Sequence, residues 1–161
     1  MNVYIAATRQ NDGKTMVSLG LLSVLRKMVK RIGYIKPVGQ QYQVINGKKI
    51  DKDAVLMREI FGFRKSLSNM SPIAISPGFT ERYLLKGRRS DLVNKIKNAY
   101  KDISRKRDFV LIEGTGHAGV GSVFDMSNSD AASLLGAKVI IVSCGGIGKP
   151  IDEIMLNHAK F

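Results

Sequence analysis

The chain has 161 residues, a length that suits one domain with a sizeable core. Its hydrophobic fraction of 44% is that of an ordinary globular protein, and no apolar run approaches the roughly 20 residues that span a bilayer. The formal net charge is +13, and the single cysteine, Cys144, excludes an internal disulfide framework. Because the N-terminus shows no basic leader or cleavage site, we expect a cytoplasmic protein without membrane attachment.

The predicted elements alternate between strands and helices. Apolar runs predict strands at 2–7, 32–35, 109–112 and 138–142, and helical periodicity predicts helices at 13–30, 53–61, 90–105, 127–135 and 151–159. Prolines and glycine mark a loop region at 72–78. This alternation predicts an α/β fold with a doubly wound, mainly parallel sheet. Four apolar residues of the first helix share one face and are expected to pack against the core: Val17, Leu21, Val24 and Met28.

The segment after the first predicted strand has the composition of a phosphate-binding loop. It ends in Gly13-Lys14-Thr15 at the start of a predicted helix, where backbone N–H groups and the helix dipole favour an anion. Gly13 lets the backbone turn, Lys14 reaches the outer phosphates, and Thr15 is a magnesium ligand. A chance Gly-Lys-Thr at a helix start is the alternative, which the preceding strand disfavours. The residues assigned to phosphate binding are Thr8, Asn11, Asp12, Gly13, Lys14, Thr15 and Met16.

Two charged residues follow or close predicted strands and should reach the same crevice. Glu113 ends the strand at 109–112, and Lys36 follows the strand at 32–35. A carboxylate suits magnesium, and a lysine binds a carboxylate, carbamate or transferring phosphate as a point charge. The alternatives are a solvated strand-end carboxylate for Glu113 and an ordinary exposed lysine for Lys36.

Other polar residues near these strand ends have two open interpretations. Asp51 is interpreted as a charge at a helix N-terminus, and Asp53 either shares that role or is a second magnesium ligand. His117 is either an acid or base near neutral pH or a hydrogen-bonding residue of a glycine-rich loop. The predicted metal ligands are Thr15, Asp53 and Glu113, and the predicted substrate-side residues are Gly114, Thr115, Gly116 and His117.

Most of the clustered positive charge falls on two predicted outer helices. The basic residues concerned lie at 26–31 and 95–107. Acidic residues interrupt the second group, and it lacks interleaved aromatic residues of the kind that stack on bases. We therefore interpret these residues as a solvated helix face rather than a nucleic-acid surface, although the charge can steer anionic substrates.

These motifs resemble the dethiobiotin synthetase-like branch of P-loop proteins. That branch includes dethiobiotin synthetase, the cobyrinic acid a,c-diamide synthases and the N-terminal domain of some long phosphotransacetylases. The resemblance covers nearly the whole chain and rests on residues 7–15, 34–38, 50–53 and 113–117. In that branch threonine commonly stands at the position of Thr8, where other phosphate loops have their first glycine.

The resemblance implies a P-loop NTPase-like three-layer sandwich as one nucleotide-binding domain over residues 1–161, with ATP and Mg²⁺ as cofactors. Lys14 and Thr15 would hold phosphates and magnesium, and Asp53 and Glu113 would complete the metal site. Lys36 would face a carbamate or acyl phosphate, so that Lys14 and Lys36 are the expected catalytic residues. A small-molecule substrate and a homodimer are the expected partners.

The chain also departs from the pattern of the branch. Residues 71–74 lack the histidine of the dethiobiotin-forming members, and the loop after Val38 is not their small Thr/Ser-Gly run. The strand that usually cradles adenine would lie beyond Phe161, so we expect a truncated domain or a small sheet. The best match is the phosphotransacetylase N-terminal type, whose own reaction the resemblance does not establish.

We therefore expect an ATP-dependent ligase or ATPase that acts on a carboxylate or carbamate. One alternative is a non-catalytic module that senses a nucleotide. The other is a ParA-like partitioning ATPase that binds DNA, which the loop disfavours because it lacks the additional signature lysine of that group.

Overall fold

Eight strands and seven α-helices make up the computed structural model, which describes residues 1–161. The strands are β1 (Asn2–Ala7), β2 (Ile32–Ile35), β3 (Val38–Gly39), β4 (Tyr42–Ile45), β5 (Lys48–Asp51), β6 (Ile73–Ala74), β7 (Phe109–Glu113) and β8 (Lys138–Val142). The helices are α1 (Lys14–Leu25), α2 (Lys52–Phe61), α3 (Leu67–Met70), α4 (Phe79–Lys86), α5 (Arg89–Ser104), α6 (Asn128–Leu134) and α7 (Lys149–His158), with a 3₁₀ turn at Ser122–Phe124.

The central sheet has four parallel strands in the order β2-β7-β1-β8. The inner strand β7 is buried along its whole length, as its continuous apolar run predicts. The chain moves one way across the sheet from β1 through α1 to β2, and the other way from β2 through α5 to β7. Right-handed crossovers therefore place α1 and α5 on opposite faces, and the predicted doubly wound α/β fold is confirmed.

The carboxyl ends of β1 and β7 form the point where the sheet changes winding direction. These strands are neighbours, and their connections run to opposite sides of the sheet. The backbone N–H of Gly114 donates to the Ile5 carbonyl oxygen at 2.9 Å, so pairing continues into the loop after β7. Open α/β sheets bind ligands in the crevice at such a point.

Helix α1 differs from its prediction in length and in orientation. It ends at Leu25 rather than near residue 30, and residues 26–29 form a closing turn. The predicted core stripe is wrong, since Val24 is 57% and Met28 77% exposed. The buried residues of the helix are instead Lys14, Ser18 and Leu22. The phosphate loop turns Lys14 inward, so the residues four and eight positions later must also face inward.

A β-hairpin in the region 42–51 was not predicted. Strands β4 and β5 pair antiparallel around Asn46 and Gly47, whose φ angles are 48° and 73°. Two consecutive positive φ angles in an Asn-Gly pair are typical of a type I′ hairpin turn. The strands escaped prediction because they are short and largely polar, although the Asn-Gly pair was a usable signal.

The remaining helices begin and end close to the predicted residues, with two exceptions. Helices α2, α5, α6 and α7 lie within about two residues of their predicted bounds. The exceptions are α3 and α4, which lie on either side of the predicted loop at 72–78 and were not predicted. No helix combines the length and the apolar character that crossing a bilayer requires.

Candidate functional site

A polar cavity of about 280 Å³ lies at the carboxyl edge of the central sheet. The phosphate loop, the start of α1, the segment after β2 and the loop after β7 form its walls. Only one of its lining residues is hydrophobic, which favours a charged, hydrated ligand. The lining residues are Gln10, Asn11, Gly13, Lys14, Thr15, Met16, Lys36, Gln40, Gln41, Asp53, Glu113, Thr115 and Gly116.

The phosphate loop turns into α1 through two residues of positive φ. Asn11 has φ 68° and Gly13 has φ 91°. A Cβ at Gly13 would meet no atom within 4 Å, so its backbone conformation, not crowding, favours glycine there. No side chain caps the N-terminus of α1, so its first N–H groups remain available to a phosphate.

Thr8 and Asp12 brace the loop and do not line the cavity. The Thr8 hydroxyl donates to the Asp12 carboxylate at 2.7 Å, and its oxygen lies 3.2 Å from the Ser143 hydroxyl after β8. Thr8 is only 3% exposed. A side chain that bonds both ends of the loop restricts its motion, which a glycine at this position would not do. Phosphate contact by these two residues stays a prediction.

The ammonium group of Lys14 lies in the cavity and has few partners within the protein. Lys14 is 8% exposed, and the only hydrogen bond of its side chain is a long one of 3.5 Å to the Arg9 carbonyl oxygen. Burial lowers the pKa of Lys14, an effect that Glu113 opposes and the positive charge of Lys36 reinforces. A bound phosphate would restore the lost solvation by supplying anionic oxygen atoms.

Lys36 forms an ion cluster with three carboxylates at the base of the cavity. Its Nζ lies 3.1 Å from Asp51, 3.8 Å from Glu113, and in hydrogen-bonding contact with Asp53. Burial lowers the pKa of Lys36, but the carboxylates of Asp51, Glu113 and Asp53 outweigh it and the net pKa is raised. Lys36 is therefore a buried ion-paired residue, and the alternative of an ordinary exposed lysine is wrong.

Burial acts on the two innermost carboxylates in the opposite direction. The pKa values of Glu113 and Asp51 are both raised by desolvation, although Lys36 partly offsets the effect. Glu113 is fully buried and also accepts from the Tyr34 hydroxyl at 3.3 Å. One oxygen of Asp51, Oδ2, is buried without a hydrogen-bond partner. Removing Lys36 would therefore leave carboxylates in a site that solvates them poorly.

The oxygen atoms of Thr15 and Glu113 fit a magnesium ion. The Thr15 hydroxyl donates to Glu113 Oε1 at 3.0 Å, so both hard oxygens face the same part of the cavity. Asp53, the third predicted ligand, lines the same cavity but is paired with Lys36. No group of three or more His, Cys, Asp or Glu side chains is arranged as a metal cage. Magnesium in nucleotide sites needs only one or two carboxylates, because phosphates and water complete its shell.

Asn128 fixes the loop after β7. Its side chain accepts from the Thr115 N–H at 2.9 Å and donates to the carbonyl oxygens of Thr115 and His117 at 2.6 Å each. A Cβ at Gly114 would lie 2.7 Å from the Asn128 oxygen, so close packing requires glycine there. Thr115 and Gly116 line the cavity. His117 is exposed, lies outside the lining, and accepts from the Gly119 N–H at 3.2 Å.

Sequence reasoning missed several residues that shape the site. Gln40 and Gln41 line the cavity directly after β3. Asp51 caps α2 by accepting from the Asp53 N–H at 2.9 Å, as predicted, but its ion pair with Lys36 was not expected. A Cβ at Gly39 would overlap the Asp51 carboxylate, which explains the glycine before the two glutamines. The only signal for this arrangement was the repeated acid in Asp51-Lys52-Asp53.

Asn157 of α7 is a further residue that the sequence did not single out. It donates to the Thr8 carbonyl oxygen at 3.3 Å and accepts from the Ala118 N–H at 2.7 Å. It is 8% exposed. The Asn157 side chain, near the C-terminal end of the chain, therefore connects the phosphate loop to the loop after β7.

The whole chain matches one protein family. A family profile described as an AAA domain matches residues 1–161. The ATP-dependent dethiobiotin synthetase BioD of Methanocaldococcus jannaschii is 30% identical over 151 residues, which cover 91% of this chain and 67% of the relative. The BioD of Clostridium perfringens is 31% identical over 156 residues, covering 91% and 66%.

A second group of relatives carries a different name. The phosphate acetyltransferase of Nitratidesulfovibrio vulgaris is 30% identical over 145 residues, which cover 89% of this chain but 20% of the relative. The chain thus spans about two thirds of the synthetases and about one fifth of this acetyltransferase.

Proposed function

The chain belongs to the AAA-domain family of P-loop proteins, together with the BioD dethiobiotin synthetases, and from this we propose that it binds ATP with Mg²⁺ and transfers the γ-phosphoryl group to a carboxylate or carbamate. The observation that carries the proposal is the shared cavity. Lys14 and Thr15 at a helix N-terminus and Lys36 among carboxylates open into the same polar space of about 280 Å³.

The charged and hydroxyl side chains of the cavity have different roles in this proposal. The free N–H groups at the start of α1 and the Lys14 ammonium bind the phosphates and stabilise negative charge as it develops during transfer. Thr15, Glu113 and Asp53 would hold magnesium, which, when bound, neutralises charge on the phosphate oxygens. Lys36 would orient the acceptor carboxylate or carbamate, because it lines the same cavity as Lys14 and Thr15.

Calorimetric titration with ATP and Mg²⁺ tests the binding step. Lys14→Ala should weaken ATP binding by about 10- to 100-fold, since it removes a charge-assisted contact to phosphate. Lys27→Ala is the matched control, because Lys27 is exposed on the turn after α1. Equal ATP affinity in the two variants would contradict the assigned site.

Phosphate release tests the transfer step. Turnover that requires both diaminopelargonate and CO₂ would support the carbamate acceptor. Turnover that requires another carboxylate would support the wider class. Lys36→Ala should abolish release while ATP still binds, because Lys36 is assigned to the acceptor and Lys14 to the nucleotide.

A nucleotide-sensing module without turnover is a second candidate function. The observation that favours it is the state of Lys36, whose ammonium is already engaged by Asp51, Asp53 and Glu113. Tight ATP binding that Lys14→Ala abolishes, without phosphate release under any of the conditions above, would favour this module over the enzyme.

The proposal includes self-association as a homodimer. Large apolar side chains remain exposed along α1 and the turn after it, at positions spaced to share one side: Val17, Val24 and Met28. Light scattering of the wild-type protein and of Met28→Glu tests this assignment. A dimer that the substitution dissociates supports it, and a wild-type monomer at high concentration contradicts it.

A further inference from the structure

A second and larger cavity lies at the opposite edge of the sheet from the phosphate loop. Its volume is about 410 Å³, against about 280 Å³ for the phosphate site. The end of α1, the end of α2, the start of β2 and the turn before β7 enclose it. Half of its lining is hydrophobic, and the rest is basic or glycine: Leu22, Arg26, Val29, Lys30, Ile32, Phe61, Gly62, Phe63, Arg64 and Arg107.

The cations of this cavity have no acidic partners. Arg26, Lys30, Arg64 and Arg107 take part in none of the salt bridges of the molecule. No Asp or Glu lines the cavity. Two nearby acids are already engaged, since Asp108 pairs with Arg31 at 2.6 Å and Asp102 with Lys65 at 2.8 Å.

Arg107 lines the cavity from the turn before β7. Its Nε is buried away from the open space and has no hydrogen-bond partner, so only the terminal nitrogens of its guanidinium are available to an anion in the cavity. The basic residues that the sequence assigned to a solvated helix face therefore include a group that lines a cavity.

At the neighbouring helix ends, several carbonyl oxygens already accept hydrogen bonds from the backbone. Basic residues often bind the last carbonyl oxygens of a helix. At the end of α1, however, the carbonyl oxygens of Leu22, Val24 and Leu25 accept from backbone N–H groups of the closing turn. At the end of α2, the Gly62 N–H donates to the Arg58 carbonyl oxygen at 2.9 Å.

Two aromatic rings stand beside the cations. The centroids of Phe61 and Phe63 lie 5.8 Å apart, with 31° between the ring planes. Gly62 separates them, and its φ of 65° is the left-handed conformation that lets both rings turn to the same side. The Arg26 guanidinium lies 6.0 Å from the Phe61 centroid. Rings and cations thus offer stacking surface and anion contacts in one place.

We propose that this cavity binds a small molecule that carries a phosphate or carboxylate group on an aromatic body. Arg64, Arg107 and Lys30 bind the anionic group, and Phe61 and Phe63 pack against the ring. The volume lies within the range of about 300–1,000 Å³ that is usual for small-molecule sites. Because the site lies at the opposite edge of the sheet, its ligand does not compete directly with ATP.

Fluorescence titration with 1-naphthyl phosphate at low ionic strength tests the proposal. The wild-type protein should bind one molecule, and Arg64→Gln combined with Arg107→Gln should weaken binding by at least about tenfold. Arg64→Gln alone should give a smaller loss, and because Arg64 is exposed this variant should fold normally. Arg105→Gln is the matched control, since Arg105 is exposed and lies outside the cavity.

Two further comparisons assign the binding to this cavity. Lys14→Ala should leave the affinity for 1-naphthyl phosphate unchanged, and both 1-naphthol and inorganic phosphate should bind more weakly than the combined molecule. Absence of binding at millimolar concentration would overturn the proposal. So would a loss of binding in Lys14→Ala that the Arg64 and Arg107 variants do not share, because the ligand would then occupy the phosphate loop.

Discussion

Buried or cavity-lining basic residues at the two edges of the central sheet have different neighbours. At the carboxyl edge, the Lys36 ammonium lies among the carboxylates of Asp51, Asp53 and Glu113, so every charge of the cluster has a partner of opposite sign. At the amino edge, Arg26, Lys30, Arg64 and Arg107 surround a cavity without a single acidic residue. A cluster of paired charges holds its side chains in place. Cations without acidic partners are screened by solvent or are paired with a bound anion.

The largest expected effect comes from removing the only cation of the Lys36 ion cluster. Lys36→Met should destabilise the fold by about 3–5 kcal/mol, because it leaves buried carboxylates without a counter-ion. Urea unfolding of this variant against Lys101→Met, an exposed lysine on α5, measures the difference. A loss below about 1 kcal/mol would mean that water or protonation already compensates the carboxylates.

Asn157→Ala should have the next largest effect on stability. The substitution leaves the buried Ala118 N–H without an acceptor and frees the Thr8 carbonyl oxygen, at a cost of about 1–3 kcal/mol. Urea unfolding measures the cost, with Asn94→Ala on the exposed side of α5 as the matched control. If the two variants unfold alike, Asn157 does not brace the phosphate loop.

The stabilisation by Lys36 should depend on pH in one direction. Its pKa is raised in the folded protein above the ordinary value of 10.5, so the folded state holds the proton more tightly than the unfolded chain. The contribution of Lys36 to the free energy of unfolding is therefore complete below its pKa in the unfolded chain. This contribution is lost as the pH rises through the pKa of Lys36 in the folded protein. The difference in unfolding free energy between wild type and Lys36→Met, followed from about pH 9 to pH 12, should shrink. A constant or growing difference would contradict the ion cluster.

The smallest effect should follow removal of one cation from the cavity at the amino edge. Lys30→Ala should change the unfolding free energy by no more than about 0.5 kcal/mol, or raise it slightly, because an exposed charge without a partner contributes little and repels its neighbours. Thermal unfolding at low and high salt checks this. A clear loss of stability would show that Lys30 has a partner and would weaken the contrast between the two edges.

Strong local patterns explain why much of the fold was predictable. Continuous apolar runs marked all four strands of the central sheet, and Gly13-Lys14-Thr15 marked the start of α1. The hairpin was missed because its strands are short and largely polar, and α3 and α4 were missed because they are short and lie on either side of the proline-marked loop at 72–78. The face of α1 was assigned wrongly because the helix orients by Lys14, which faces the site, rather than by its most apolar stripe.

The residues of the candidate site were predictable from the sequence, but their contacts with one another were not. Lys14, Thr15, Lys36, Asp53 and Glu113 were predicted individually, and all five line one cavity. Their pairing was beyond the sequence, because it depends on where the ends of β2, β5 and β7 meet. The sequence likewise placed Thr8 in the phosphate loop, but only the structure shows the hydrogen bond that Thr8 donates to Asp12.

The sequence by itself determined the four strands of the central sheet, five of the helices, the phosphate loop and most of the charged groups near the strand ends, because each depends on neighbours within a few residues. The tertiary structure decided which charges have a partner of opposite sign and which do not. Lys36 and Arg107 are both basic residues in an excess of basic residues. One meets three carboxylates and the other meets none, because chain segments far apart in sequence enclose the first with acids and the second with aromatic rings and other cations.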